Sequence, residues 1–397
     1  MKPLVASIVI LASGAAHAQS LMDGDSSGEP LRLLPSDAAV LDLQEPREDL
    51  ACSVTALRPQ LGFDFLFRTG YQIRIALKEL AGSDNMLTIV LRVRPERRKD
   101  QPVYFVQRFR VPPIKESSTG TTVLDGFFRL GEGKYHVDWL MRDTGERICA
   151  KFWDTEANLT GKDASLAGWL ARDLIQPVES GLFHQEGPIE REASGSSLKV
   201  KVIVNFAPEG AGAPALGADD LQGLAAIVRK IAREPRIGSF SIVASSVRSQ
   251  QIFYRQLDAP RIDLPSLGEA LKALNFAQVD AKLLALKHGE TEFLTRLITE
   301  EAREDHLDGL IFVGPKYLLD ANVSSKIVAQ LKDCEYPVFY LNYTLDPLSY
   351  PWPDSIGRVV KQLNGFQYTI SRPRDLFNAW SDIVSHLLNA RQAAGAQ

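Results

Sequence analysis

The stretch LKVKVIVNFAPEG, from Leu198 to Gly210, decides how the second half of the chain is interpreted. Its first part is almost continuously apolar, which is typical of a strand that is covered on both faces of a sheet. A loop rich in proline and glycine follows directly. Ligands of open α/β sheets bind beyond the carboxyl ends of the strands, so this junction is a candidate site.

Strand and helix patterns alternate from this stretch to the end of the chain. DGLIFVG (308–314) and YPVFYLNY (336–343) are apolar runs of the kind found in central parallel strands. SFSIVASS and QQIFYRQL predict two adjoining strands, and LPSLGEALKAL predicts a helix with Pro265 in its first turn. The alternation predicts an α/β fold class, with a doubly wound, Rossmann-like parallel sheet over residues 197–392.

The region 50–156 shows a period of two instead. Apolar residues alternate with polar ones from Leu87 to Val93 and from Tyr135 to Trp139, and RDTG at 142–145 is a turn signal. Short strands separated by turns predict an N-terminal all-β, immunoglobulin-like sandwich. Residues 157–196 then predict a linker that contains one short amphipathic helix.

The N-terminus predicts export from the cytoplasm. Residues 1–18 combine Lys2, an apolar run and small residues before the predicted cleavage point, as signal peptides do. Residues 19–49 are rich in Asp, Glu, Ser and Pro and predict a flexible linker. We therefore expect a periplasmic or secreted protein.

Other composition features exclude two classes of partner. No later segment reaches the roughly 18 uninterrupted apolar residues of a membrane span. The net charge is −4 and no basic stripe is present, so nucleic-acid binding is not expected.

Two cysteines bracket the predicted sandwich, Cys52 at its start and Cys149 near its end. In an oxidising compartment they could form a disulfide, or both could remain buried thiols. The sequence leaves these alternatives open.

Element order, the adjoining strands and the text LPSLGEALKAL make residues 197–392 resemble a von Willebrand factor type A (VWA) domain. The family's metal site uses Asp-x-Ser-x-Ser after the first strand, then a Thr, then an Asp after the fourth strand. The first three positions correspond here to Asn205, Ala207 and Glu209, and the later Asp is replaced by VGPK (313–316). The resemblance therefore implies a degenerate site, since a hard cation needs several converging oxygens. We expect no metal and no cofactor.

The loops at the predicted strand ends suggest a protein or peptide partner. Tyr350 and Trp352 alternate with prolines, and large aromatic side chains provide contact area at low entropic cost. The binding residues predicted on this rim are Glu209, Lys316, Tyr343, Tyr350 and Trp352. Alternatively, the aromatic side chains fold back over the sheet and cover its core.

These observations favour a non-enzymatic protein-binding or assembly module over two other functions. One is a metal-dependent adhesion domain with a remodelled site at Asn205, Glu209 and Thr291. The other is a hydrolase that uses His288 and Glu290 as acid and base. No nucleophile motif or paired-histidine signature accompanies the last two residues.

Overall fold

A computed structural model of the chain describes the following residues: 20–21, 33–167, 170–178, 182–185, 187, 189–191, 197–209, 216–273, 288–302, 306–324, 328, 336–345 and 354–395. The predicted signal peptide, 1–18, lies outside them. The chain divides into two compact units, Met1–Ser180 and Gly181–Gln397.

The first unit contains two antiparallel sheets. Its strands are β1 (Ser20–Leu21), β2 (Arg47–Glu48), β3 (Ser53–Leu61), β4 (Phe67–Ala76), β5 (Asn85–Pro95), β6 (Val103–Val111), β7 (Thr121–Leu130), β8 (Gly133–Arg142), β9 (Ile148–Ala157) and β10 (Ile175–Pro177). Sheet A has the order β1-β6-β5-β8-β9-β2, and sheet B has the order β10-β7-β4-β3. Short 3₁₀ helices cover Leu77–Leu80, Glu96–Arg98 and Gly161–Leu166.

The two sheets pack face to face because alternate residues of their strands are apolar. Tyr71 of β4 meets Trp139 of β8 edge-on, with 5.6 Å between ring centroids. Phe105 of β6 stacks on Phe128 of β7 at 5.8 Å. All four side chains are buried, so they form the core between the sheets.

The structure corrects the linker predictions on both sides of this unit. Residues 35–43 form helix α1 (Pro35–Leu43) rather than a flexible linker, because Val40 and Leu41 pack on apolar side chains of sheet A. In the segment 157–196, the predicted amphipathic helix is replaced by the 3₁₀ helix Gly161–Leu166 and by β10. Local composition predicted both segments wrongly because tertiary contacts determine their conformation.

Cys52 and Cys149 form a disulfide, with 6.3 Å between their Cα atoms and a sequence separation of 97. The bond joins the residue before β3 in sheet B to β9 in sheet A. It therefore links the two sheets of the sandwich covalently.

The second unit is built on one mixed sheet. Its strands are β11 (Leu198–Asn205), β12 (Ile237–Ser246), β13 (Gln251–Ala259), β14 (Gly309–Gly314), β15 (Val338–Tyr343) and β16 (Phe366–Ile370). Its helices within the described ranges are α2 (Ala218–Ala232), α3 (Leu264–Ala273), α4 (Gly289–Glu301), α5 (Ser355–Gln362) and α6 (Pro373–Gly395). The strand order is β13-β12-β11-β14-β15-β16.

The fold class predicted from the sequence is wrong. The described chain is mostly β-sheet, with two antiparallel sheets and one mixed sheet, and is not the predicted α/β fold with a VWA-like parallel sheet. The mixed sheet arises because β13 pairs antiparallel with β12. Only the short turn 247–250 joins these strands, whereas a parallel neighbour needs a long crossover connection.

The remaining strands of the mixed sheet run parallel, so their carboxyl ends lie along one edge. Close packing of helix on sheet holds this edge in place. At Gly223 of α2, an added Cβ would lie 2.1 Å from Cζ of Tyr343, so only glycine lets the helix approach β15 this closely.

Candidate functional site

One row of residues crosses the ends of the central strands of the mixed sheet, and three of its four members carry polar side chains. Asn205 of β11 is in register with Ser245 of β12. It directly follows Val204, the last residue of β11 that pairs with β14. Gly314 of β14 is in turn in register with Asn342 of β15. Residues in register on parallel strands point to the same face, so this row presents its polar groups together.

The two asparagines of this row are buried, and each has at least one amide atom without a hydrogen-bond partner among the described residues. Asn342 is 0% exposed, and neither its Oδ1 nor its Nδ2 has a hydrogen-bond partner among the described residues. Asn205 is 4% exposed, and its Oδ1 accepts from the backbone N–H groups of Ala207 and Val247, each at 3.2 Å. Within the same described part of the chain, its Nδ2 has no acceptor. Buried amide groups without partners cost free energy, so a site that retains them needs an explanation.

Glu209 lies just beyond β11 and joins this row. Its Oε2 accepts a hydrogen bond from Oγ1 of Thr344 at 3.1 Å, and Oε1 is buried without a described donor. Thr344 lies two positions after Asn342 along the chain. Burial raises the pKa of Glu209 to about 7, although Thr344 and the ammonium group of Lys316 oppose the shift. The carboxyl group is thus poised to change its protonation state near neutral pH.

A second carboxyl group, that of Asp354, completes the arrangement. Its Oδ1 caps α5 by accepting from the N–H of Ile356 at 3.1 Å, and also accepts from the N–H of Tyr317 at 3.2 Å. The hydroxyl of Tyr340 forms a hydrogen bond with this carboxyl group and also lies 3.1 Å from the carbonyl oxygen of Pro315. Burial raises the pKa of Asp354 as well.

We call Asn205, Glu209, Asn342, Thr344 and Asp354 the strand-end cluster. Its carboxyl groups lie close enough to influence each other, since Asp354 contributes to the raised pKa of Glu209. The asparagines form its buried base, whereas Glu209 and Asp354 are partly exposed. Solvent therefore reaches the cluster only at Glu209 and Asp354, whereas the amide groups of the asparagines are buried.

The residues predicted on the binding rim have different outcomes. Glu209 is in the strand-end cluster, and Lys316 is close enough to lower the pKa of its carboxyl group. Tyr343 is buried on the opposite face of β15, where its hydroxyl donates to the carbonyl of Asp219 at 3.2 Å. It is therefore not available as a rim residue, and that assignment is wrong. Tyr350 and Trp352 lie outside the described residues.

Thr291 does not join Asn205 and Glu209 in the described contacts. Its Oγ1 donates to Oδ1 of Asp320 at 2.9 Å, near the start of α4. The described contacts therefore do not bring these three residues together. Within the described ranges, no group of three or more His, Cys, Asp or Glu side chains could hold a metal ion.

His288 and Glu290 flank the same end of α4 but have different partners. Nδ1 of His288 lies 2.7 Å from Oδ2 of Asp320, and Glu290 interacts with the hydroxyl of Tyr317. Burial raises the pKa of Glu290. The contacts thus hold the two side chains in separate pairs rather than against a common nucleophile.

Three residues of the strand-end cluster were missed by the sequence analysis, namely Asn342, Thr344 and Asp354. The signals were present in the chain. Asn342 interrupts an otherwise apolar run at the end of a strand, and Asp354 stands directly before a helix, where aspartate is a preferred N-cap. Their proximity to Glu209, however, depends on the strand order of the sheet.

Comparisons with known proteins identify no family. No protein-family model matches the chain, and no curated protein does. Among the described helices, none combines the length and apolar character needed to cross a membrane.

Solved structures give only remote similarities. A glycosyl hydrolase family 2 member from Bacteroides cellulosilyticus has 12% identity and a TM-score of 0.20, over 81% of this chain and 39% of that one. The PilB minor pilin from Streptococcus sanguinis has 8% identity and a TM-score of 0.30, over 77% and 88%. The chain thus spans about two fifths of the hydrolase. Similarities with such low TM-scores do not establish a shared fold or function. The resemblance to a VWA domain stays a prediction.

Proposed function

We propose that the protein is an exported, non-enzymatic binding or assembly module that engages a protein partner through the strand-end cluster. The observation that carries the proposal is the buried amide of Asn342, whose two polar atoms lack partners among the described residues. A free energy cost of about 1–3 kcal/mol is typical for such a group. The partly exposed carboxyl groups of Glu209 and Asp354, in the same cluster, are the groups that a partner can contact.

The position of the cluster supports the same function. Carboxyl ends of parallel strands are where open sheets place their ligands, because loops there diverge and leave room for a bound group. The disulfide between Cys52 and Cys149 supports export, since such bonds persist in oxidising compartments.

The substitution Asn342→Leu tests the proposal without relying on loss of folding. Replacing an unpartnered buried amide by an apolar group of similar size is expected to stabilise the free protein by about 1–3 kcal/mol. The same change should weaken partner binding, because it alters the buried polar base of the cluster to which Glu209 and Asp354 belong. Asn158→Leu is the matched control, because Asn158 is exposed in the first unit.

The measurement has two stages. The immobilised chain first captures partners from the exported proteins of its source cells, and mass spectrometry identifies those retained by the unsubstituted chain and by Asn158→Leu. The purified partner is then titrated against each variant. If Asn342→Leu binds this partner with unchanged affinity, the strand-end cluster is not the binding site.

A metal-dependent function and a hydrolase remain weaker proposals. The first lacks a described constellation of ligands, since Thr291 pairs with Asp320. The hydrolase would use His288, which pairs with Asp320. Hydrolytic activity of the original protein that is lost in His288→Ala would support this function.

A further inference from the structure

Three asparagines of the chain begin a tripeptide Asn-x-Ser/Thr in which the middle residue is not proline. They are Asn158 in NLT, Asn322 in NVS and Asn342 in NYT. This tripeptide is the acceptor for N-linked oligosaccharides in exported proteins, where it lies on a surface loop. Exposure therefore decides which of the three asparagines can be an acceptor.

Asn158 lies on the surface of the first unit. It directly follows the last residue of β9, and both Asn158 and Thr160 are exposed. Nδ2 of Asn158 donates a long hydrogen bond of 3.4 Å to Oε1 of Glu156, whose side chain is exposed as well. Thr160 precedes the 3₁₀ helix Gly161–Leu166 in extended backbone conformation, and its side chain does not cap that helix. The amide and the hydroxyl of this tripeptide are therefore both accessible to a transferase.

Asn322 has an equally exposed position in the second unit. It lies in the segment 315–324, which follows β14 and forms neither a helix nor a strand. Asn322 and Ser324 are exposed, whereas Val323 between them is buried. The apolar residue thus anchors the loop on the core, and the two polar residues that flank it present the acceptor amide and the hydroxyl to solvent.

Asn342 is excluded by its position in the mixed sheet. It is 0% exposed in β15, and Thr344 is 1% exposed. The hydroxyl of Thr344 already donates to Oε2 of Glu209 at 3.1 Å. An oligosaccharide has to remain in water, because burying its many hydroxyl groups without partners costs free energy. The folded chain therefore cannot hold an oligosaccharide at Asn342.

The two exposed tripeptides share a further residue type that the buried one lacks. An acidic residue lies two positions before each exposed asparagine, namely Glu156 and Asp320, whereas the buried asparagine has a tyrosine there. Only 49 of the 397 residues are acidic, so an acid at both positions is not the expected result of chance. A single transferase can therefore recognise both segments by the same five-residue pattern.

We propose that Asn158 and Asn322 of the exported chain carry N-linked oligosaccharides and that Asn342 does not. The donor is an oligosaccharide attached through pyrophosphate to a polyprenyl lipid. Nδ2 of the asparagine forms a bond to C1 of the first sugar, while the bond from C1 to the pyrophosphate oxygen breaks. The lipid pyrophosphate leaves with the bonding electrons and the amide loses one proton, so the step needs no oxidant or reductant. The inference goes beyond partner binding and shares with it the predicted export, which the disulfide supports.

Glycopeptide mass spectrometry of the chain, purified from the exported proteins of its source cells, tests the three sites separately. Trypsin cleaves after lysine and arginine, so the tripeptides lie on the separate peptides 152–162, 317–326 and 333–358. The first two peptides should carry the added mass of an oligosaccharide, and the third should carry none. If the first two peptides are both unmodified, the proposal is wrong. An oligosaccharide on the third would overturn the argument from burial.

Paired substitutions test whether the tripeptide itself directs the modification. Thr160→Ala removes the hydroxyl and should abolish the oligosaccharide of peptide 152–162, whereas Thr160→Ser keeps the hydroxyl and should retain it. Ser324→Ala and Ser324→Thr form the same pair for peptide 317–326. Both positions are exposed, so all four variants should fold like the original protein, which circular dichroism checks. Oligosaccharides that persist in the alanine variants would overturn the proposal.

Discussion

Replacing Glu209 by glutamine should change how the stability of the second unit depends on pH. Burial raises the pKa of this carboxyl group from 4.5 to about 7 in the folded protein. The folded state therefore binds the proton more tightly than the unfolded chain does. The resulting stabilisation is fully present below about pH 4.5 and is lost as the pH rises through about 7.

The magnitude follows from the size of the shift. At about 1.4 kcal/mol per pH unit, a shift from 4.5 to about 7 corresponds to at most about 3 kcal/mol. Glu209 is only half-buried, so solvent screening reduces the effect, and we expect about 1.5 kcal/mol. Glutamine resembles the protonated acid, so Glu209→Gln should match the original protein at about pH 4 and exceed its stability at about pH 8.

Urea denaturation of the full chain at several pH values measures this difference. The helical circular dichroism signal mainly follows the second unit, which contains α2 to α6. Glu300→Gln is the matched control, because it removes the same kind of charge from an exposed position of α4. If the curves for Glu209→Gln and the original protein stay parallel across this range, the burial argument for Glu209 is wrong.

Three further changes have expected magnitudes. Replacing Cys52 and Cys149 by serine should lower the free energy of unfolding by up to about 4.7 kcal/mol, which is the loop-closure value for a sequence separation of 97. Denaturant unfolding with and without reductant measures this loss. Lys201→Met should cost about 1–3 kcal/mol, because Nζ lies 2.5 Å from Oε2 of Glu301 and both side chains are buried, while Arg255 still pairs with Oε1 of Glu301. Adding Glu301→Leu should restore much of that loss in a double-mutant cycle, and additive losses would contradict the pairing. Gly223→Ala should destabilise by about 1–3 kcal/mol in thermal unfolding, and an unchanged melting temperature would show that the helix can shift away from the clash.

The sequence by itself determined the main strands and several helices, because their hydrophobic periodicity is a local property. The apolar runs 308–314 and 336–343 contain the buried strands β14 and β15. The text LPSLGEALKAL contains α3. The junction after β11 was also identified as a candidate site, and Glu209 lies in the strand-end cluster.

Only the tertiary structure decided the fold class, the conformation of the predicted linkers and the membership of the cluster. Strand direction depends on pairing partners and connection lengths, so periodicity did not reveal that β13 makes the sheet mixed. Tyr343 looked like a rim residue because sequence position does not specify the side of the sheet to which a side chain points. Thr344 and Asp354 approach Glu209 although they are more than 130 residues away in the chain, because β15 lies next to β14, which lies next to β11. Such contacts between distant parts of the chain are created by packing, and no local pattern encodes them.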